Sequence, residues 1–235
     1  MEFKDALALA TELGYAEADP TADIEGLDAG RKVAIMASIA FHSRVTFDDV
    51  YTEGITKITK TDIEYAKVLH ASIKLLGTSK WEDDGKIYSM VAPFMIDSDH
   101  PLGHVNGVFN GIFVNGNMLG DTMFYGKGAG KLPTASAVVA DVVDAVKHQG
   151  TNIMTIWEQD KVELGDRANF ACRFFVRVAD TTSKETIEKV FGEVEYVTLA
   201  DVSGEYAFLT EKLTEGAFEE KSKQVDMIMR IRTAL

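Results

Sequence analysis

EADPTADIEGLDAGRKVAIMASIAF, residues 17–41, places an acidic, proline-bearing segment directly before an apolar run. Glu17, Asp19, Asp23, Glu25 and Asp28 fall within twelve residues, and Arg31 and Lys32 follow at once. From Lys32 to Phe41 the chain is apolar almost all round, which predicts a buried helix with Asp28 placed to cap it. The acids do not match a calcium loop, because the required glycine and distal glutamate are absent. Two readings of the segment stand. It is a solvated connection in which Asp28 and Lys32, four residues apart, form a surface ion pair of a few tenths of a kcal/mol. Or the buried helix brings these charges beside the core, where charges are paired or functional. A lysine beside carboxylates can act as general acid or base toward an oxygen, and carboxylates can hold an ammonium group. Together they suit a small amino acid that carries a hydroxyl.

Helical spacing recurs on either side. Phe3, Ala6, Leu7, Ala10 and Leu13 form one short amphipathic helix, stopped at Gly14. TDIEYAKVLHASIKLLG, residues 61–77, reads as another helix, with a Thr61–Glu64 capping box and a stop at Gly77. Residues 86–126 read as strands, with a hairpin turning at Asn115–Gly116. TASAVVADVVDAVKH, residues 134–148, is a long helix with Pro133 at its start. Residues 151–168 form a connection, and residues 169–235 run strand, helix, strand, strand, helix, strand. That βαββαβ order needs only ~70–80 residues, the size of a small α+β domain. The fold class is therefore α+β: a mixed sheet covered by helices over residues 1–150, then the small βαββαβ domain.

The chain has 235 residues, 46% hydrophobic and 26% charged, as an ordinary globular protein does. Its net charge of −13 repels phosphate backbones and argues against nucleic-acid binding. Cys172 is the single cysteine, so no intrachain disulfide can form. It alternates with Phe170 and Phe174 and reads as a core position. No apolar run is long enough to span a membrane, and the N-terminus is a poor signal peptide. A cytoplasmic location follows.

YGKGAGKLPT, residues 125–134, fails as a Walker A loop, since Tyr125 and Leu132 stand where glycine and Ser or Thr are needed. The Rossmann G-x-G-x-x-G spacing is also absent there. On its own this stretch is a strand-to-helix turn. His100 and His104 lie near Asp97 and Asp99, but DSDHPLGH reads as a loop and no metal site is assigned.

LGYAEADPTADIEGLDAGRKVAI, residues 13–35, resembles the signature of homoserine dehydrogenase, including the Glu-x-Asp-Pro and Asp-x-x-x-Lys steps. IKLLG at 73–77, PLGHVNGVFNGIFVNG at 101–116 and GKGAGKLPTASAVVAD at 126–141 look like successive parts of the same catalytic domain. The resemblance covers roughly residues 3–150. It implies NAD- or NADP-dependent oxidation of L-homoserine to aspartate semialdehyde. By position, Lys32 resembles the lysine that moves the substrate proton, and Glu17 and Asp28 resemble the carboxylates that hold the substrate. Asp23 matches a further acidic position, and Gly128 and Gly130 match a loop near the cofactor, whose backbone N–H groups would face it. The family's Rossmann domain has no counterpart here, so this chain is expected to keep the substrate, dimerisation and C-terminal regions and to transfer hydride poorly alone. Residues 169–235 resemble an ACT domain, which implies pairing of copies and L-threonine as effector. Asp180–Ser183, however, lacks the glycine usual in that turn. The competing expectation is a non-catalytic amino-acid-binding and oligomerisation protein on the same fold.

Overall fold

The computed structural model describes residues 2–16, 19–152, 154 and 163–234. In chain order the elements are α1 (Phe3–Glu12), α2 (Thr21–Ile24), α3 (Leu27–Ala40), β1 (Tyr51–Thr52), α4 (Lys60–Val68), β2 (Ala71–Trp81) and β3 (Ile87–Asp97). There follow β4 (Phe109–Gly116), β5 (Gly120–Lys127), α5 (Lys131–Lys147), β6 (Ala171–Ala179), α6 (Lys184–Phe191) and β7 (Val194–Val197). The last are β8 (Glu205–Thr210), β9 (Leu213–Thr214), α7 (Glu215–Ser222) and β10 (Met227–Ala234). They fall into two units, one of Met1–Pro20 with Ser98–Ile156, the other of Thr21–Asp97 with Trp157–Leu235.

The second unit is organised around β3, whose sequence IYSMVAPFMI is apolar on both faces, as a central strand requires. On one edge β2 pairs with it antiparallel from Ala71↔Asp97 to Trp81↔Ile87. Two parallel strands share the other edge: β1 takes Met90 and Val91, and β10 takes Phe94 to Ile96. Pro93 falls between them. Val91 O accepts from Glu53 N on that edge, and residue 93 points the same way, so its missing N–H costs no ladder bond. β10 continues antiparallel into β6, then β8 and β7. The final strand thus joins the βαββαβ module to the sheet of the site-bearing region.

Helices cover this mixed sheet. Tyr65, Ala66 and Ala71 pack on Met95, Phe175, Leu209 and Ile231. α6 and α7 supply Ile187, Phe191 and Phe218 to a cluster with Phe174, Val176 and Phe208. α3 lays Val33, Ala34 and Ala37 beside Val91.

Several expectations need correction. α3 is not buried all round: Gly30, Val33, Ala34, Ala37 and Ser38 face inward, while Ile35, Met36 and Ile39 are exposed. Small residues on one face let the helix approach the sheet closely, and this single contact surface is what the apolar run concealed. Asp28 lies in the first turn rather than at the cap, which is Gly26 in left-handed conformation at φ +75°. The helix read over 61–77 ends at Val68. His70 adopts φ +57° and reverses the helical path, and the apolar residues beyond it pair along the full length of β3. Its capping box is Thr59 with Asp62, not Thr61 with Glu64.

In the first unit, β4 and β5 form the expected hairpin, but the chain turns over Asn117–Leu119 rather than Asn115–Gly116. α5 begins at Lys131, earlier than expected, and neither it nor α1 has a fully buried residue. Of the expected connection, residues 153 and 155–162 lie outside the described residues. Among the described residues no helix is long and apolar enough to cross a membrane.

Candidate functional site

Asp28 and Lys32 stand one turn apart on α3, and Lys32 Nζ lies 2.6 Å from Asp28 Oδ2. Both are open to solvent, the side chain of Lys32 66% exposed and that of Asp28 45%, so a polar ligand can reach either. The first-turn position of Asp28 suits the positive end of the helix dipole. Asp23 is exposed on the single turn of α2, just before the Glu25–Gly26 link into α3. The structure therefore brings Asp23, Asp28 and Lys32 onto adjoining turns of one short segment. Glu17 lies outside the described residues.

Close packing fixes the turn between α2 and α3. A Cβ on Gly26 would meet Val91 Cγ1 at 3.0 Å, and one on Gly30 would meet Thr52 Cγ2 at 2.8 Å. The Arg31 guanidinium rests over the Phe47 ring, 5.2 Å from its centroid.

Behind this face runs a charge network that spacing alone does not reveal. Glu53 Oε2 accepts from Arg232 Nη1 at 2.8 Å and from the Tyr51 hydroxyl at 3.1 Å, and pairs with Arg230 at 3.2 Å. Arg232 also donates from Nε and Nη2 to Glu215, and Arg167 Nη1 donates to Glu215 at 3.0 Å. Arg232 and Glu215 are fully buried. Burial pushes the Glu53 carboxyl up, but Arg230, Arg232 and the bond from Tyr51 outweigh it and hold it below its ordinary range. Arg232 and Arg230 are 179 and 177 residues downstream of Glu53. No local pattern signals them; the only hint was arginine at alternate positions in an otherwise apolar final strand.

The glycine loop belongs to the first unit. Gly128 is tied to Asn110, whose Nδ2 lies 1.4 Å from where a Cβ would sit, and Gly128 N donates to Val108 O at 3.0 Å. Gly130, at φ +113°, precedes α5 and offers no side-chain cap, so the first-turn N–H groups have no side-chain acceptor from it. Ala129 lines a cavity of about 430 Å³ together with Leu9, Leu13, Tyr15 and Val108. Lys74 on β2 has its ammonium pushed below the ordinary lysine range by burial.

His100 turns back on its own loop, its Nδ1 accepting from Leu102 N at 3.1 Å. Among the described residues no three His, Cys, Asp or Glu side chains group in a way that could hold a metal ion. Cys172 is half-buried, and burial pushes its thiol up to about 12.

The family model described as homoserine dehydrogenase matches residues 1–143. The homoserine dehydrogenase of Corynebacterium glutamicum is 54% identical over 153 residues, which is 63% of this chain and 34% of that protein. The crystal structure of a homoserine dehydrogenase from Thiobacillus denitrificans superposes with a TM-score of 0.83 at 31% identity, covering 99% of this chain and 58% of that one. A hyperthermophilic archaeal homoserine dehydrogenase in complex with NADPH has a TM-score of 0.50 at 30% identity, covering 64% of this chain and 42% of that one. The chain spans about a third of the length of the curated relatives it matches.

Proposed function

We propose, from the premise that this chain belongs to the homoserine dehydrogenase family, that its acidic segment is the substrate side of an NAD(P)-dependent oxidation of L-homoserine to L-aspartate 4-semialdehyde. The observation that carries the reading is the accessible Asp28–Lys32 pair, with Asp23 on the preceding turn. The amine form of a lysine beside a carboxylate can take the substrate's hydroxyl proton, and the ammonium so formed can return it in the reverse direction, while further carboxylates hold the substrate's ammonium. Lys32 is the residue that moves the hydroxyl proton. Asp28 orients Lys32 and, with Glu17, holds the substrate's amino and hydroxyl ends. Asp23 is a further carboxylate of the same set.

The glycine loop fits the cofactor side. Gly130 supplies no side-chain cap to α5, so the N–H groups of Lys131 and Leu132 receive no acceptor from it, and a Cβ at Gly128 would displace Asn110. NAD or NADP, when bound, would supply the hydride acceptor for the carbon that bears the hydroxyl. This chain's own residues hold the substrate, take its proton at Lys32 and align the α5 N–H groups.

The reading extends to the C-terminal module. Its sheet order β10-β6-β8-β7 accords with an ACT-like domain at residues 169–235, beyond the connection at 151–168 and the catalytic region at 1–150. Pairing of copies into a homodimer or larger homo-oligomer, L-threonine as effector and a cytoplasmic location belong to the same proposal.

Calorimetry with L-homoserine and L-threonine tests it. Homoserine binding that disappears in Lys32→Ala and Asp28→Ala is expected. Homoserine binding that survives both changes would leave only the non-catalytic amino-acid-binding reading.

A further inference from the structure

We infer that Arg232, on the last strand, is a positioning residue for the acidic segment: acting through Glu53 and the Gly54–Ile55 backbone, it holds the turn that separates Asp23 from Asp28 and Lys32. The inference rests on the reading of Lys32 and its carboxylates as the homoserine site.

The turn itself has little local support. α2 is one turn long, and Gly26, which precedes α3, supplies no side-chain cap. Beside the packing of Val91 on Gly26 and Thr52 on Gly30, its backbone support from outside comes from residues 54 and 55. Ile55 N donates to Ile24 O at 2.8 Å. Gly54 comes so close that a Cβ there would lie 2.3 Å from Ile24 O and 2.6 Å from Glu25 Cα. Any shift of this clamp therefore moves the α2–α3 turn, because the two backbones are in contact with no side chain between them to absorb it.

The clamp is itself weakly held by secondary structure. β1 contributes only Tyr51 and Thr52, followed by the single bond from Glu53 N to Val91 O at 2.8 Å. What fixes it further is the Glu53 carboxylate, which takes Arg232, Arg230 and the Tyr51 hydroxyl together. Arg232 cannot swing away. Glu215 takes its guanidinium in a two-pronged bond from Nε and Nη2, and the group is fully buried. Its remaining nitrogen, Nη1, is aimed at Glu53. Register adds to this, since β10 runs parallel to β3 on the very edge that β1 occupies, pairing Arg232 with Phe94. The result is a continuous path from the C-terminal strand, through Glu53 and Gly54, to the residues flanking Asp23 and Asp28.

A purely structural role for the network predicts lower stability and nothing else. Amide hydrogen exchange and homoserine calorimetry on the whole chain separate the two. In Glu53→Ala, which removes the acceptor of Arg232, Arg230 and Tyr51, the Ile55 amide is expected to exchange about tenfold faster and homoserine affinity to fall about tenfold, a change of ~1.4 kcal/mol at the turn. Glu53→Gln, which keeps an acceptor for Arg232, should recover most of both. Ile187→Val loosens the C-terminal core at α6 and serves as control; it should change neither local quantity. Should Glu53→Ala fail to fold, Arg232→Lys, which keeps the charge but loses the fork, is read on the same amide. The inference is overturned if Ile55 protection in the Glu53 and Arg232 variants stays at the control's level, or if it drops while homoserine affinity is unchanged. A wild-type chain that binds no homoserine would sink the site reading, and the exchange measurement would still decide the link from Arg232 to the turn.

Discussion

Arg177 Nη1 on β6 lies 2.7 Å from Asp62 Oδ1 on α4, joining residues 115 apart in a contact shielded from solvent. Asp62 also accepts from Thr59 N at 2.7 Å, so one carboxylate starts a helix and anchors it to the βαββαβ sheet. Glu205 holds the other side of Arg177 at 2.6 Å. Asp62→Asn should therefore destabilise the chain by about 3 kcal/mol, from a weakened buried pair and a poorer cap. Glu205 continues to neutralise Arg177, which keeps the loss from being larger. Urea unfolding checks this, and a change below ~1 kcal/mol would mean the pair contributes no more than a surface bridge.

Lys32→Ala should separate stability from chemistry. The Lys32 side chain is 66% exposed, so its ion pair with Asp28 is worth only ~0.3–0.5 kcal/mol and the unfolding midpoint should barely move. Where the site turns over homoserine, loss of the proton-moving group should lower the rate by about 10²–10⁴-fold. A variant with normal turnover would remove Lys32 from the mechanism.

Glu53 makes part of the stability depend on pH. Its folded carboxyl titrates below the ordinary value of 4.5, because Arg230 and Arg232 outweigh the opposing effect of burial. A depressed acid contributes fully above 4.5 and loses that contribution as pH falls through the folded value. Wild type and Glu53→Gln should therefore differ most in urea midpoint near neutral pH, and converge in acid. A gap that stayed constant down to pH ~3 would show that the Glu53 charge adds nothing to the stability of the whole fold.

Much of this was legible in the sequence, and the rest was hidden for definite reasons. The βαββαβ order showed because each strand from Ala171 onward is bounded by turn residues and each helix by a Ser or Thr cap at Ser183 and Thr214. The acidic segment showed because its charges are adjacent in sequence. ASIKLLG misled because an apolar run beyond a helix carries no mark of a strand until β3 is there to pair with it. Arg232 and Glu215 could not be connected to Glu53, since only the parallel docking of β10 on β3 brings them together. Asn110 likewise explains Gly128 only once β4 and the glycine loop are folded side by side.

Gly77 is the sharpest test of that correction. A helix stop at Gly77 would tolerate alanine poorly only through its backbone angle. In the folded strand Gly77 pairs with Val91 and faces α3, and a Cβ there would sit 2.3 Å from Val33 Cγ2. Val33 is buried against the sheet one residue after Lys32, so it cannot yield without lifting α3. Gly77→Ala should cost about 1–3 kcal/mol by overpacking. Because Val33 adjoins Lys32, homoserine affinity should fall as well, by about tenfold if the displacement costs the site ~1.4 kcal/mol. The compensating pair Gly77→Ala with Val33→Ala should recover stability relative to Gly77→Ala alone, since the removed methyl groups make room for the added one. Non-additivity of that kind in urea unfolding checks the strand assignment directly; strictly additive losses would contradict the contact between Gly77 and α3.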